Sequence, residues 1–510
     1  ECGIDQRRPI IALGSCRRFV LCKDAIIVNM FLATAAGVGH DVPSWVTGFY
    51  LIVLILMVFC LAFEEKIHAK KSLIVGTFAG FCLVTETIIG YFTDRAHPML
   101  PFGNITLPNG HEIGLPIYVP AIDWSVITII LGASLFVEVT SRSGIFTWLA
   151  IKLTKQSGGD PWRLLMFYGA LTVIFSAVLN NVTAMIIVGS LTTVSLSKLD
   201  RRDLLLGFLL TEGLLTNIGG LLTLISSVPN IIVGQAAGIG FMPFFIKAVP
   251  FVIVATLVTL LQARFTFGVK SLATEREKKS AADLVAGFDE SESVPSRYFF
   301  WSSVLLLIGF IICLAGQSAL PWDLDELGMG FVALFFAGLA LWFYKHDVDT
   351  FYKSVDWDLL GFFASLFVVI YVMEQAEVLA IIGKGLQEML TLPPQAAQAS
   401  LLISAAAASS VTDNIPLAAV LAKILASNPI VVGPEGSNPD SPFWWCVIFG
   451  ANLGGNITPI GSASTVVAMT IIHKNNLSLT FVGFVKVAAA FAVVQILLAI
   501  GYVWLTSYLL

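Results

Sequence analysis

The chain is 510 residues long, 57% hydrophobic and only 12% charged, with a formal net charge of −5. A soluble domain carries about 25% charge, so this composition cannot clothe a water-facing surface. It also excludes a disordered tail and a secreted disulfide scaffold, and the absence of a basic stripe excludes nucleic-acid binding.

A membrane-spanning helix needs about 20 apolar residues. Taken in chain order, a short run at 24–40, flanked by Lys23 and Asp24, reads either as an extra span or as an interfacial or targeting segment. Clear spans follow at 46–63, 72–93, 122–140, 244–265, 299–317, 327–344, 357–374 and 481–508. Two regions carry polar clusters midway: 164–199 with Asn180-Asn181-Val182-Thr183, and 396–428 with Thr412-Asp413-Asn414-Ile415-Pro416. These read as re-entrant hairpins. Two more, 204–238 and 443–471, are too long for one helix and are interrupted at Asn217-Ile218-Gly219-Gly220 and Asn452-Leu453-Gly454-Gly455-Asn456. These read as broken spanning helices, because irregular backbone at membrane depth must be buried or line a wet cavity.

The resulting expectation is an all-α polytopic membrane protein of eleven spans and two hairpins. It places 24 of the 29 Lys and Arg residues on one side, here termed inside, including Lys66, Lys70 and Lys71. Only Arg95 and Lys384 fall outside, and Lys247, Lys423 and Lys486 lie within apolar segments. Segment 1–45 is an N-terminal piece, 46–265 a first transporter repeat, 266–298 an inside linker and 299–510 a second repeat. The Pro-rich stretch 94–121 is the long outside loop.

The repeat rests on recurring residues. Asp123-Trp124 returns as Asp356-Trp357 after 233 positions, and Ala133-Ser134-Leu135-Phe136-Val137 as Ala364-Ser365-Leu366-Phe367-Val368 after 231. Asn181 returns as Asn414 after 233, and Gly219-Gly220 with Thr223 as Gly454-Gly455 with Thr458 after 235. An odd number of crossings separates equivalent points, so the copies are inverted. Inverted repeats with unwound helices are the architecture of secondary transporters.

The hairpin tips and helix breaks are expected to converge. The candidate substrate and ion ligands are Asn180, Asn181, Thr183, Asn217, Gly219, Gly220, Thr223, Asp413, Asn414, Asn452, Gly454, Gly455, Asn456 and Thr458. Asn and Thr offer neutral oxygens and donors, freed carbonyls suit a cation, and half-helix N-termini suit an anion. Pro416 is expected to disfavour helical geometry at Ile415 and stop the helix there. An intramembrane acid costs about 2.5–3.5 kcal/mol on insertion scales. Asp413, at a tip, reads as a cation or proton site or as a structural cap for the second hairpin arm. Glu212 reads as an assisting coupling carboxyl or a buried structural hydrogen-bonding group. Glu86 and Glu138 are weaker candidates, and Lys423 is expected to snorkel outward. All six His fall in or beside loops, so no resident metal or cofactor is expected, and no P-loop, zinc or hydrolase motif appears.

The segments Ser176-Ala-Val-Leu-Asn-Asn-Val-Thr183, Thr216-Asn-Ile-Gly-Gly220, Pro229-Asn230, Thr412-Asp-Asn-Ile-Pro416 and Leu453-Gly-Gly-Asn-Ile-Thr-Pro-Ile-Gly461 resemble the ion transporter superfamily. That group includes arsenite permeases, NhaD-type sodium/proton antiporters and P protein-like carriers. The resemblance covers about residues 46–508. It implies a scaffold and a transport domain, often in a homodimer, with an elevator-like motion and the substrate held between tips and breaks. Members near the P protein and NhaD carry Asp-Asn at the first tip, where this chain has Asn180-Asn181. The Ser-Asn-Thr signature of dicarboxylate carriers is absent.

The expected protein is therefore a multi-pass carrier in a plasma or organelle membrane rather than an enzyme. It would exchange sodium or lithium for protons through Asp413 and Glu212, with Na+ and H+ as coupling ions and a small inorganic ion as its substrate. Alternatives are an exporter of a small anion or oxyacid such as arsenite, and a channel or non-transporting subunit with a carrier fold.

Overall fold

A computed structural model describes residues 42–92, 103–106, 111–316, 327–345, 348–434 and 436–509. Segment 24–40, Arg95, His40, His97 and His346 lie outside the described residues. Glu1–Thr47 and Gly48–Leu510 form separate units by contact, and the architecture below is that of the second.

Helices of ten residues or more are numbered in chain order. α1 is Ser44–Ala62, α2 Lys71–Phe92, α3 Trp124–Arg142, α4 Ile145–Ser157, α5 Pro161–Val178 and α6 Asn181–Lys198. α7 is Leu205–Gly219, α8 Val228–Ala237, α9 Phe241–Thr266, α10 Glu275–Ala286, α11 Arg297–Gly316, α12 Gly328–Phe343 and α13 Trp357–Gln375. α14 is Val378–Leu390, α15 Pro394–Ser409, α16 Asn414–Ala426, α17 Pro442–Gly454, α18 Ala463–Lys474 and α19 Phe481–Leu509. Among the described residues eight helices are long and apolar enough to cross a membrane. Their exposed faces carry large apolar side chains such as Ile52, Leu73, Val84, Leu305 and Leu497, which in water would be a liability and in lipid are a match. The protein is a nearly all-helical, multi-pass integral membrane protein. Among the described residues the only strands are a small antiparallel pair, β1 Gly103–Thr106 with β2 Glu112–Leu115, in the stretch read as a loop.

Local sequence explains where the helices begin. Asp123 caps α3 by accepting from Ser125 N at 3.1 Å, and Asp356 caps α13 by accepting from Leu359 N at 3.0 Å. Trp124 Nε1 donates to Val119 O at 3.1 Å, and Trp357 Nε1 to Tyr352 O at 3.0 Å. The recurring Asp-Trp pair thus performs the same two tasks in each half, and each cap contributes about 1 kcal/mol. Asp160 caps α5 ahead of Pro161, a residue suited to a first helical turn.

The halves pack reciprocally. α3 lies on α12, and α13 lies on α2. The α3–α12 approach is close because a Cβ at Gly132 would stand 2.5 Å from Leu334 N, and one at Gly330 would stand 2.1 Å from Thr128 Oγ1. Small residues of this kind let helix backbones meet in a membrane. α7 packs on the α5/α6 hairpin and on α18, while α17 packs on the α15/α16 hairpin and on α8. α8 touches α16, α18 touches α6, and the long helices α9 and α19 pack together.

Segment 266–298, expected as an inside linker, is folded. α10 opens with a capping box between Thr274 and Glu277. Leu272 N donates to Asp160 Oδ2 at 2.8 Å, Lys155 pairs with Glu290, and Lys198 Nζ lies 3.9 Å from the centre of the Phe288 ring. The linker is therefore tied to the base of the α5/α6 hairpin.

Candidate functional site

Each hairpin turns in a very short break. α5 ends at Val178 and α6 begins at Asn181; the Asn180 side chain accepts from Val182 N at 2.8 Å. α15 ends at Ser409 and α16 begins at Asn414; Asp413 accepts from Ile415 N at 3.2 Å. Asn180 and Asp413 are the N-caps of equivalent helices, so the structural role weighed for Asp413 is real. Pro416 does not stop a helix. It lies in the first turn of α16, where its missing N–H needs no partner, and Ile415 is helical. α5 alone has 18 residues, about 27 Å at 1.5 Å per residue, so it is long enough to cross the bilayer.

The breaks also match. After Gly219 the chain leaves the α-helix until Val228, and after Gly454 until Ala463. Ser227 and Ser462, the residues before α8 and α18, are both extended. Each hairpin is pinned to the break of its own half by serine and threonine. Ser176 Oγ donates to Thr216 O at 2.6 Å and Ser409 Oγ to Ala451 O at 2.5 Å. Thr223 Oγ1 donates to Ala177 O and Thr458 Oγ1 to Ser410 O, both at 2.6 Å. A Cβ at Gly220 would stand 2.7 Å from Asn181 Nδ2, and one at Gly454 would stand 2.3 Å from Ala406 O. Gly219 is similarly pressed on Val173, and Gly455 on Gly461. Glycine is required at Gly219 and Gly454, where a Cβ would meet backbone atoms of the neighbouring helix below 3.0 Å.

The two breaks are cross-braced. Asn217 Nδ2 donates to Asn456 Oδ1 at 2.8 Å and to Ser462 Oγ at 2.9 Å, and Asn217 Oδ1 accepts from Ser464 at 3.2 Å. Asn452 Oδ1 accepts from Ser227 at 2.7 Å, and Asn452 Nδ2 donates to Asn230 Oδ1 at 3.0 Å and Ile448 O at 2.8 Å. Asn456 Nδ2 donates to Leu214 O at 3.2 Å and to Gln495 Oε1 at 2.8 Å. Asn230 and Ser226 cover the freed carbonyl of Gly220, each at 2.7 Å. These asparagines are buried, and their amide donors are spent on the protein itself.

Different groups stand open at the tips. Thr183 and Asn414 are half-buried beside the breaks, and neither side chain makes a hydrogen bond among the described residues. Asn180 is exposed. No hydrogen bond joins the first tip to the second among the described residues.

Asp413 has a partner that the sequence does not announce. Lys71 Nζ lies 2.6 Å from Asp413 Oδ2 and 3.7 Å from Glu64 Oε1. Lys71 opens α2, 342 residues away from Asp413, and reads in sequence only as a marker of the inside face. The Asp413 side chain is 16% exposed. Glu212 is elsewhere. It is fully buried on α7, its Oε1 accepts from Thr192 Oγ1 at 2.6 Å, and its Oε2 has no hydrogen-bond partner among the described residues. Of the lesser candidates, Glu138 pairs with Arg142 at 3.0 Å and Glu86 accepts from Tyr50 at 3.3 Å. Lys423 pairs with Glu374 at 3.1 Å, with both side chains about half exposed. Ser176 and Ser409 were legible, since each precedes its tip asparagine by five residues. Gln495, which braces Asn456, has no sequence signal.

A model of the citrate transporter family (CitMHS) matches residues 67–445. An uncharacterized transporter of Mycobacterium tuberculosis is 30% identical over 390 residues, covering 76% of this chain and 87% of the relative. The 46 kDa membrane protein of Mycobacterium leprae is 30% identical over 402 residues, covering 78% and 87%. The P protein of Homo sapiens is 23% identical over 452 residues, covering 75% of this chain and 53% of that protein. Among solved structures, the Alcanivorax borkumensis YdaH transporter has a TM-score of 0.55 at 13% identity, covering 85% of this chain and 98% of its own. Neisseria gonorrhoeae MtrF has a TM-score of 0.52 at 13% identity, covering 85% and 94%. The last two are likenesses of fold.

Proposed function

The chain belongs to the citrate transporter family and is a membrane transporter; from that premise we propose that it is a secondary carrier exchanging sodium or lithium for protons at the Asp413 tip. The observation that carries this reading is the position of Asp413. It is a largely buried carboxylate at a helix break, and a cationic group, the Lys71 ammonium, already lies 2.6 Å away. A carboxylate buried to this extent is costly unless it is paired or has work to do. Thr183, Asn180, Asn181 and Asn414 supply neutral ligands at the tips, while Asn217, Asn452 and Asn456 brace the breaks. Glu212, with one carboxylate oxygen unpartnered among the described residues, assists as a second coupling group. α2, α3, α12 and α13 form the frame, and the hairpins with their broken helices form the part that moves. Reciprocal packing of two halves suits alternating access, in which the halves exchange conformations.

Proteoliposomes loaded with a pH-sensitive dye test this. Sodium or lithium, but not choline, should drive proton flux, and Asp413→Asn should abolish it. No flux in the wild-type protein, or unchanged flux in the variant, overturns the reading.

A second reading is a carrier of a small anion or oxyacid. It is favoured by the Lys71 cation and by the N-termini of α6 and α16 at the tips. Sodium-independent uptake of labelled citrate or arsenite by inverted vesicles would establish it over the first.

A further inference from the structure

We infer that Lys71 is a built-in competitor for the transported cation, switching its ammonium between Asp413 and Glu64 as the site empties and fills. This rests on the reading of Asp413 as a cation site.

The argument starts with the placement of the lysine. Lys71 opens α2, and a cation at a helix N-terminus opposes the helix dipole. Such a residue is tolerated when anions compensate it, and two do: Asp413 Oδ2 at 2.6 Å and Glu64 Oε1 at 3.7 Å. The near partner sits on the hairpin tip, and the farther one just precedes α2 in the chain. Asp413 meanwhile caps α16, so its carboxylate is held between that helix's N-terminus and the ammonium.

A monovalent cation binding at Asp413 must displace the ammonium that already lies against Oδ2. Lys71 then retains Glu64, which lies within reach by a short side-chain swing. When the cation leaves, the ammonium returns, and the Asp413 carboxylate is never left unpaired in a poorly solvated place. The pair also bridges helix groups that pack separately. α2 belongs with α13, and the α15/α16 hairpin belongs with α17. Breaking and remaking it therefore ties cation occupancy to the contact between them.

The test uses the full chain in lipid nanodiscs, titrated with NaCl or LiCl against choline chloride at fixed ionic strength, reading the thermal shift. Removing an internal competitor raises apparent affinity by the fraction of sites it had blocked, so Lys71→Gln should bind either cation roughly tenfold more tightly. Lys71→Arg should remain close to wild type. Glu64→Gln should do the opposite of Lys71→Gln and weaken cation binding, because Lys71 then has only Asp413. A merely structural ion pair would not produce opposite signs. Equal or weaker binding in Lys71→Gln, or no cation dependence in any of the proteins, overturns the inference. Proton exchange in the wild type with unchanged Lys71→Gln affinity defeats the inference alone. Tighter binding in Lys71→Gln without exchange in the wild type defeats the antiport reading alone.

Discussion

Asn217 donates to Ser462 across 2.9 Å, and the equivalent pair with the halves exchanged, Asn452 with Ser227, is joined across 2.7 Å. Asn217 and Asn452 are 235 residues apart, as are Ser227 and Ser462. Each break is thus locked by the serine that begins the second arm of the other. The two contacts are therefore reciprocal between the breaks. It also separates two groups of asparagines that look alike in sequence.

Removing one brace should cost stability before it costs specificity. Asn217→Ala removes the donor to Asn456 Oδ1 in a buried place and leaves Ser462 and Ser464 with each other and Thr465, and an unsatisfied buried group costs about 1–3 kcal/mol. Asn452→Ala should behave similarly. Because both braces hold the same two breaks against each other, the double variant should lose less than the sum. Thermal unfolding in detergent of both singles and the double checks this; strict additivity would show that the breaks are independent.

Close backbone approach makes a sharper prediction. Gly454→Ala places a Cβ 2.3 Å from the Ala406 carbonyl, whereas a Cβ at Gly385 meets nothing within 4 Å. The first variant should fail to yield a monodisperse peak on size exclusion. Gly385→Ala, on α14, should match wild type or exceed it slightly, by up to about 1 kcal/mol from helix propensity.

The linker depends on one carboxylate. Asp160 caps α5 through Arg163 N at 3.0 Å and holds Leu272 N at 2.8 Å. Asp160→Ala should lower stability by about 1–2 kcal/mol and open the stretch before α10 to limited proteolysis. Protease resistance equal to wild type would show that other contacts hold the linker.

α10 should loosen in acid. The Glu277 carboxylate accepts from the Thr274 backbone N–H at 3.0 Å, which together with the Thr274 side chain holds its pKa below the ordinary 4.5. A lowered folded-state value means that the contribution is complete above 4.5 and is lost as pH falls through the folded value. Hydrogen-exchange protection of residues 275–286 should therefore drop in acid, and Glu277→Gln should flatten that dependence. An unchanged profile in the variant would exclude the capping box as its source.

Much of this architecture was legible in the chain. Long apolar runs, Asp-Trp helix starts and Asn-Gly-Pro interruptions are local signals, because a helix in lipid must satisfy its own backbone wherever it is not broken. All eight long apolar runs are helices, both tips turn where the polar clusters lie, and both breaks follow the Gly-Gly pairs. The linker helix and the β1–β2 pair were not read, since charged or short segments carry little periodicity.

The sequence by itself therefore determined that this is a membrane protein, where its helices break, and that short motifs recur some 230 residues apart. Tertiary structure alone decided the partners. Nothing local to Lys71 points 342 residues onward to Asp413, and nothing in the wording of two Asn-rich breaks says which amides are consumed and which stand open. Helix and break depend on neighbours a few residues apart, whereas charge pairing and amide bracing depend on which surfaces the packed fold brings within 3 Å, a typical hydrogen-bond distance.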